Sequence, residues 1–187
     1  MVRESYSDER EKDLVSASIS GDKNAFGEIV TKYRKMVANT VKGMLGDSVF
    51  AEDIGQEVFI KLYYSLPEFR GESKLSTYIQ RIAVNMTLNE LRKRKRFTSL
   101  FSQRSEDEIF EMDVPESDME EKWEAAEIVN KALLSLEPGY RIVVTLRLLQ
   151  GYSTKETAQI LDLPEGTVLS RLSRAQEKLR HILKNYK

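Results

Sequence analysis

The stretch 153–180, STKETAQILDLPEGTVLSRLSRAQEKLR, constrains the fold more than any other part of the chain. Ser153 and Glu156 form an S-x-x-E capping box, which satisfies free N–H groups at a helix start. Ala158, Ile160 and Leu161 give that short helix an apolar side. The segment DLPEG at 162–166 then breaks it, because Pro cannot continue a helix and Gly permits unusual dihedrals. A second helix is predicted from about Thr167, with Val168, Leu172, Ala175 and Leu179 recurring at helical spacing and facing inward. Ser170, Arg171, Arg174 and Lys178 fall on another face. Short hydroxyls mixed with long cations suit base edges and phosphates in a major groove. The pattern reads as a helix-turn-helix whose second helix enters DNA, although a plain helical hairpin with a solvated charged face has the same spacing.

Composition bounds what the rest can be. A chain of 187 residues allows one or two domains, and 41% hydrophobic with 32% charged residues marks a soluble, folded protein. There is no Cys, which excludes disulfides and thiolate chemistry. The opening MVRESYSDEREKD lacks the apolar core of a signal peptide, and no run approaches the roughly 18 apolar residues of a membrane span. The expected compartment is the cytoplasm. Net charge is −1, but its distribution is uneven. Residues 1–97 carry 17 Lys and Arg against 14 Asp and Glu, 98–122 carry 2 against 9, and 123–187 carry 10 against 7. Two mildly basic blocks thus flank an acidic connector, an asymmetry compatible with nucleic-acid binding.

The first block reads as helices throughout. One is predicted over 8–19, ending at Gly21. Asp22 caps a second that carries Phe26, Ile29, Val30, Tyr33, Val37, Val41 and Met44 and stops at Gly46. Asp47 is the expected cap of a third, with Phe50, Ile54, Val58, Phe59 and Leu62, which stops before Pro67. A polar loop, RGESK, leads to a fourth over 76–96, with Ile79, Ile82, Ala83, Met86 and Leu91 inward. The connector holds Phe101, Ile109, Phe110, Met112 and Val114, more apolar groups than a solvated tether needs. The last block adds helices over 119–136 and 140–149, with a break at Pro138-Gly139. The expectation is an all-α fold: two small helical domains, 1–97 and 123–187, joined by an acidic linker over 98–122, the C-terminal domain being the helix-turn-helix.

Two constellations in the first block carry chemistry. Arg92-Lys93-Arg94-Lys95-Arg96 gives five consecutive cations, an electrostatic footprint for phosphates that a dipole-favoured helix end or a solvated tail also produces. Ahead of it, Leu75, Tyr78, Arg81 and Asn85 surround the loop bearing Ser73 and Lys74. Aromatic and amide groups beside cations suit unpaired bases, which need a stacking surface and edge contacts. The other constellation, AEDIGQE at 51–57, places Asp53, Gln56 and Glu57 on one polar helix side. A solvated or protein-docking face fits it better than a metal site, since His181 is the only His. No metal and no cofactor are expected.

Taken in order, these segments resemble the extracytoplasmic-function group of bacterial sigma factors. GDKNAFGEIVTKY resembles the opening helix of the family's second conserved region, and AEDIGQEVFIKLY its polymerase-docking helix. FRGESKLSTYIQRIAVNMTLNELRKRKR is similar to its −10 recognition loop and helix. LEPGYRIVVTLRLLQGYSTKETAQILDLPEGTVLSRLSRAQEKLR is similar to its fourth region, which reads the −35 element. The resemblance implies that Asp53, Gln56 and Glu57 dock on core RNA polymerase. It implies that Arg70, Ser73, Lys74, Leu75, Thr77, Tyr78, Arg81, Asn85, Arg92 and Arg94 serve the −10 element, partly single-stranded. It implies that Ser153, Lys155, Thr167, Ser170, Arg171, Arg174 and Lys178 serve the double-stranded −35 element. Core polymerase and promoter DNA are the implied partners, often with an anti-sigma factor, and the chemistry belongs to the polymerase rather than to an enzyme in this chain. Three positions depart from the family's habit: Tyr78 stands for Trp, Leu169 for Lys and Gln176 for Arg. A repressor or activator acting apart from polymerase would share only the C-terminal helices and leave AEDIGQE without purpose. A DNA-processing enzyme would need a nucleophile with cationic or metal partners, and no such cluster is evident.

Overall fold

The computed structural model describes residues 2–101 and 120–184, with side-chain environments over 9–96 and 126–184. Eight α-helices, a 3-10 turn and a π-helical turn account for the described chain, which contains no strand. Helix α1 (Val2–Ile19) turns at Gly21 into α2 (Lys23–Leu45). Asp22 caps α2 as expected, its carboxylate accepting from the Asn24 and Ala25 N–H groups at 2.8 and 3.2 Å. Gly46, at φ 75, closes α2 and donates its N–H to the Lys42 carbonyl at 2.8 Å.

Helix α3 (Val49–Ser65) is capped by Ser48, one residue later than Asp47. Val49 is its first helical residue, and Ala51, Ile54, Val58 and Leu62 are its buried stripe. Ser48 Oγ accepts from the Ala51 N–H at 3.3 Å, while Asp47 pairs with Lys42 Nζ at 2.6 Å. Pro67 stands in the first turn of the 3-10 segment Leu66–Glu68, where its missing N–H costs nothing. Helix α4 (Leu75–Phe101) runs past the expected end at 96, and α5 spans Glu120–Leu134. The acidic connector therefore has helical backbone at both ends, 98–101 and 120–122. Its residues 102–119, with Ile109, Phe110, Met112 and Val114, lie outside the described residues.

Pro138 opens α6 (Pro138–Val144) rather than breaking a helix, for the same reason as Pro67. The chain then widens into the π-helical turn Thr145–Leu149, with Gln150 N–H donating to the Thr145 carbonyl at 3.0 Å. Helix α7 (Thr154–Leu161) ends at Asp162, whose φ of 52 is left-handed, a conformation Asp tolerates better than most residues. Helix α8 (Glu165–Lys184) begins two residues before the expected start at 167, so Gly166 lies inside its first turn.

Packing explains the order of elements. Ile29, Val37, Val41 and Met44 of α2 meet Ile54, Val58 and Leu62 of α3 and Leu75, Ile79, Ala83 and Val84 of α4. Each fully buried aliphatic group contributes roughly 1.5–3 kcal/mol. Leu133, Leu136, Val144 and Ala175 form a second cluster, under Tyr140, Leu172, Leu179 and Ile182. The main cluster does not stop at the first block: Ile142, Val143, Leu146, Ala158, Ile160 and Val168 belong to it. The two blocks are thus packed on each other through α2 and α4, a contact that two domains joined by a linker do not by themselves require.

Candidate nucleic-acid interface

Helix α3 carries its polar triad outward. Asp53, Gln56 and Glu57 are all exposed, opposite the buried stripe. The helix also exposes apolar groups that charge patterning alone missed: Phe50 at 59%, Ile60 at 57%, Tyr63 at 41% and Tyr64 at 74%. Phe50 is therefore a surface residue rather than a core one. The signal was present in the sequence, because positions 50, 60 and 64 fall off the 51/54/58/62 stripe. Tyr63 sits edge-on to Phe26 with centroids 5.0 Å apart, and the Arg94 guanidinium lies 4.5 Å from the centre of the Phe50 ring. A mixed apolar and acidic stripe of this kind suits a protein partner, since aromatic groups supply contact area and carboxylates supply orientation.

The loop before α4 and its first turns form the second surface. Arg70 and Lys74 are exposed and Ser73 is half-buried. Leu75 and Thr77 are buried, so they shape the loop from beneath. Tyr78 is half-buried, donating its hydroxyl to the Ser65 carbonyl at 3.1 Å, with its ring 5.1 Å from that of Phe69. That hydrogen bond fixes the ring. Further along, Asn85 and Arg92 are exposed, Arg92 donating to Asn89 Oδ1 at 3.0 Å. Arg94 pairs with Glu90 at 3.0 Å. Arg81 turns toward α7 and donates Nε–H to the Gln159 carbonyl at 2.9 Å.

The third surface is the helix-turn-helix. The capping box forms as read: Ser153 Oγ accepts from the Glu156 N–H at 3.1 Å, and the Ser153 N–H donates to Glu156 Oε2 at 2.8 Å. Hydrogen bonds from the Ser153 side chain and backbone hold the Glu156 carboxyl below its ordinary pKa. Val168 and Ala175 are buried, and Leu172 and Leu179 are half-buried, as the helical spacing requires. Lys155, Ser170, Arg174 and Lys178 are exposed, while Thr167 and Arg171 are half-buried. Arg171 leans toward Gly139, its Nη1 lying 3.8 Å from where a Cβ there would stand. Lys178 lies 5.5 Å from the Tyr140 ring centre and 3.5 Å from a Glu137 oxygen. Leu169, 54% exposed, stands next to Ser170 on the open side of α8.

One buried cation binds the elements together. Arg141 donates to the carbonyls of Leu134 and Leu136 at the end of α5, and to that of Met44 near the end of α2. Burial lowers its pKa to about 10. Sequence reading passed over Arg141 because an isolated Arg in an apolar segment has no periodic signature.

Comparison with known proteins settles the family. A family model of sigma-70 region 2 matches residues 29–97, and one of sigma-70 region 4 matches residues 126–179. The chain belongs to the extracytoplasmic-function group of sigma-70 factors. It is 34% identical over 178 residues to the RNA polymerase sigma-H factor of Pseudomonas aeruginosa, covering 91% of this chain and 92% of that protein. It is 38% identical over 176 residues to the ECF RNA polymerase sigma-E factor of Escherichia coli K12, covering 89% and 90%. Among solved structures, a Bartonella quintana sigma factor in complex with the anti-sigma factor NepR shares the fold at a TM-score of 0.67. That match is 22% identical and covers 85% of this chain and 96% of the other. The sigma factor described here works with RNA polymerase in transcription initiation, as a member of a generally non-catalytic class. Region 2 comprises most of α2 with α3 and α4, and region 4 most of α5 with α6, α7 and α8 up to 179. Among the described residues no helix is long and apolar enough to cross a membrane.

Proposed function

We propose that this sigma factor binds core RNA polymerase through α3 and selects promoters by reading two elements. Asp53, Gln56 and Glu57, flanked by Phe50, Ile60 and Tyr64, form the docking stripe for a helical coiled coil of the largest polymerase subunit. Helix α8 enters the major groove of the −35 element, with Thr167, Ser170, Arg171, Arg174 and Lys178 toward DNA and Ser153 and Lys155 toward flanking phosphates. Arg70, Ser73, Lys74, Tyr78, Arg81, Asn85, Arg92 and Arg94 take the −10 element, over the scaffold of Leu75 and Thr77, and aid melting. Capturing an unpaired base costs a few kcal/mol, which stacking and edge contacts offset. Residues 1–97, 98–122 and 123–187 act as docking and melting domain, acidic connector and −35 domain. The factor has no catalytic activity of its own, works in the cytoplasm and has an anti-sigma protein as a further partner.

The observation that carries this reading is the face of α8: hydroxyls and cations exposed over a buried Val168 and Ala175 seam. Gel filtration of the chain with core polymerase and a promoter fragment tests it. Co-elution of all three components is expected, with the DNA lost from the complex when the chain is omitted. A complex that retains promoter and non-promoter DNA equally contradicts the reading.

A further inference from the structure

Helix α8 has an inward line and an outward one. Val168 and Ala175, both fully buried, lie seven residues apart and mark the inward line. At about 100° per residue, Gly166, Ser170, Ser173 and Glu177 fall on the side away from it, and all four are exposed. Leu169 borders that side, beside Ser170 and one turn before Ser173. It is 54% exposed and belongs to neither apolar cluster. Among the described residues of α8 no other large apolar side chain is exposed.

An isolated surface leucine is ordinary on most helices. The setting of this one is not. Its neighbours on the outward side are short. A Cβ placed at Gly166 would meet nothing within 4 Å, and the Ser170 hydroxyl turns back to donate to the Thr167 carbonyl at 3.1 Å. Leu169 therefore projects past them in the N-terminal half of the helix, the part of a recognition helix that meets base edges. Farther along, the outward line carries Glu177, whose carboxylate repels phosphates, so the close contact falls on the first turns. The major groove offers such a side chain one apolar feature, the C5-methyl of thymine. Leucine has no donor for a phosphate oxygen or for guanine, which the lysine habitual at this position in the family has.

We propose that Leu169 is a specificity-determining residue of this chain, packing on a thymine methyl in the −35 element and selecting thymine there. This rests on the promoter-reading function proposed above and adds to it the base and the group that is read.

Deoxyuridine differs from thymidine only by that methyl, so it removes the contact and nothing else. The full chain with core polymerase first selects its −35 element from a library randomised upstream. Each thymine of the selected duplex, on either strand, is then replaced singly by deoxyuridine, and holoenzyme affinity is read by competition in fluorescence anisotropy. With the parent chain, one position should lose roughly fourfold in affinity, the worth of one buried methyl group. Leu169→Ala keeps the fold, because the site is exposed and alanine favours helix. It should bind the thymine duplex more weakly and no longer distinguish thymine from uracil at that position. If no thymine is sensitive to loss of its methyl, or if the sensitivity persists in Leu169→Ala, the contact is overturned while −35 recognition stands. If no −35 motif is selected at all, the promoter-reading function falls and the contact falls with it.

Discussion

Single residues do much of the positioning. Ser153 and Glu156 were legible at once because a capping box is a local pattern with a fixed offset. Asp47 and Ser48 show the limit of such reading: both are good caps, and Ser48 takes the role while Asp47 pairs with Lys42 at the end of α2. Arg141 was not legible: two of its carbonyl partners, Leu134 and Leu136, lie just upstream, but the third, that of Met44, belongs to a helix 97 residues away in sequence. Ser153→Ala should lower stability by about 1 kcal/mol near neutral pH, as measured by urea unfolding. The pH dependence has a definite sign. Glu156 is held below its ordinary carboxyl pKa, so its contribution is present above that value and is lost as pH falls through the folded one. The stability gap between parent and Ser153→Ala should therefore narrow on acidification. A gap unchanged across that range would show that the carboxylate is not part of the cap. Arg141→Leu should cost roughly 3 kcal/mol, because carbonyl ends of α2 and α5 lose a charged donor.

At the scale of elements, helices with one buried stripe were read well, and those with a second face were not. Helix α8 behaved as its spacing required, with Val168 and Ala175 inward. Helix α3 carries more apolar residues than one stripe can bury, and the surplus at Phe50, Ile60 and Tyr64 lies on the surface beside Asp53 and Glu57. Asp53→Ala with Gln56→Ala should weaken core binding by roughly 2–5 kcal/mol while leaving helicity unchanged, in a titration with fluorescent core enzyme. Unaltered affinity would remove α3 from the docking surface. On α8, Arg174 is exposed while Arg171 leans toward Gly139. Arg174→Ala should relax base preference at one or two −35 positions, worth about 1–3 kcal/mol of discrimination. Lys155→Ala should instead weaken binding evenly and lower the salt slope by about one. Selection from a library randomised upstream separates the two, and an unchanged −35 motif with Arg174→Ala would place the reading face elsewhere.

For the whole molecule, the order of helices and the two-block architecture followed from periodicity and capping. The packing of one block on the other did not, because Thr40, Gly43, Gln80 and Thr145 look like unremarkable polar or small positions until α2 meets the π turn. The connector's acidic charge was plain in the sequence, but a charge count says nothing of where such a segment runs. The account's central claim is that this chain gives core polymerase its promoters. Run-off transcription from a pool of genomic fragments, with 5′ ends mapped, tests it most directly. Core enzyme with the chain should start at discrete sites that share an upstream motif and a −10 motif, and core enzyme alone should not. The same scatter of start sites with and without the chain would contradict the account.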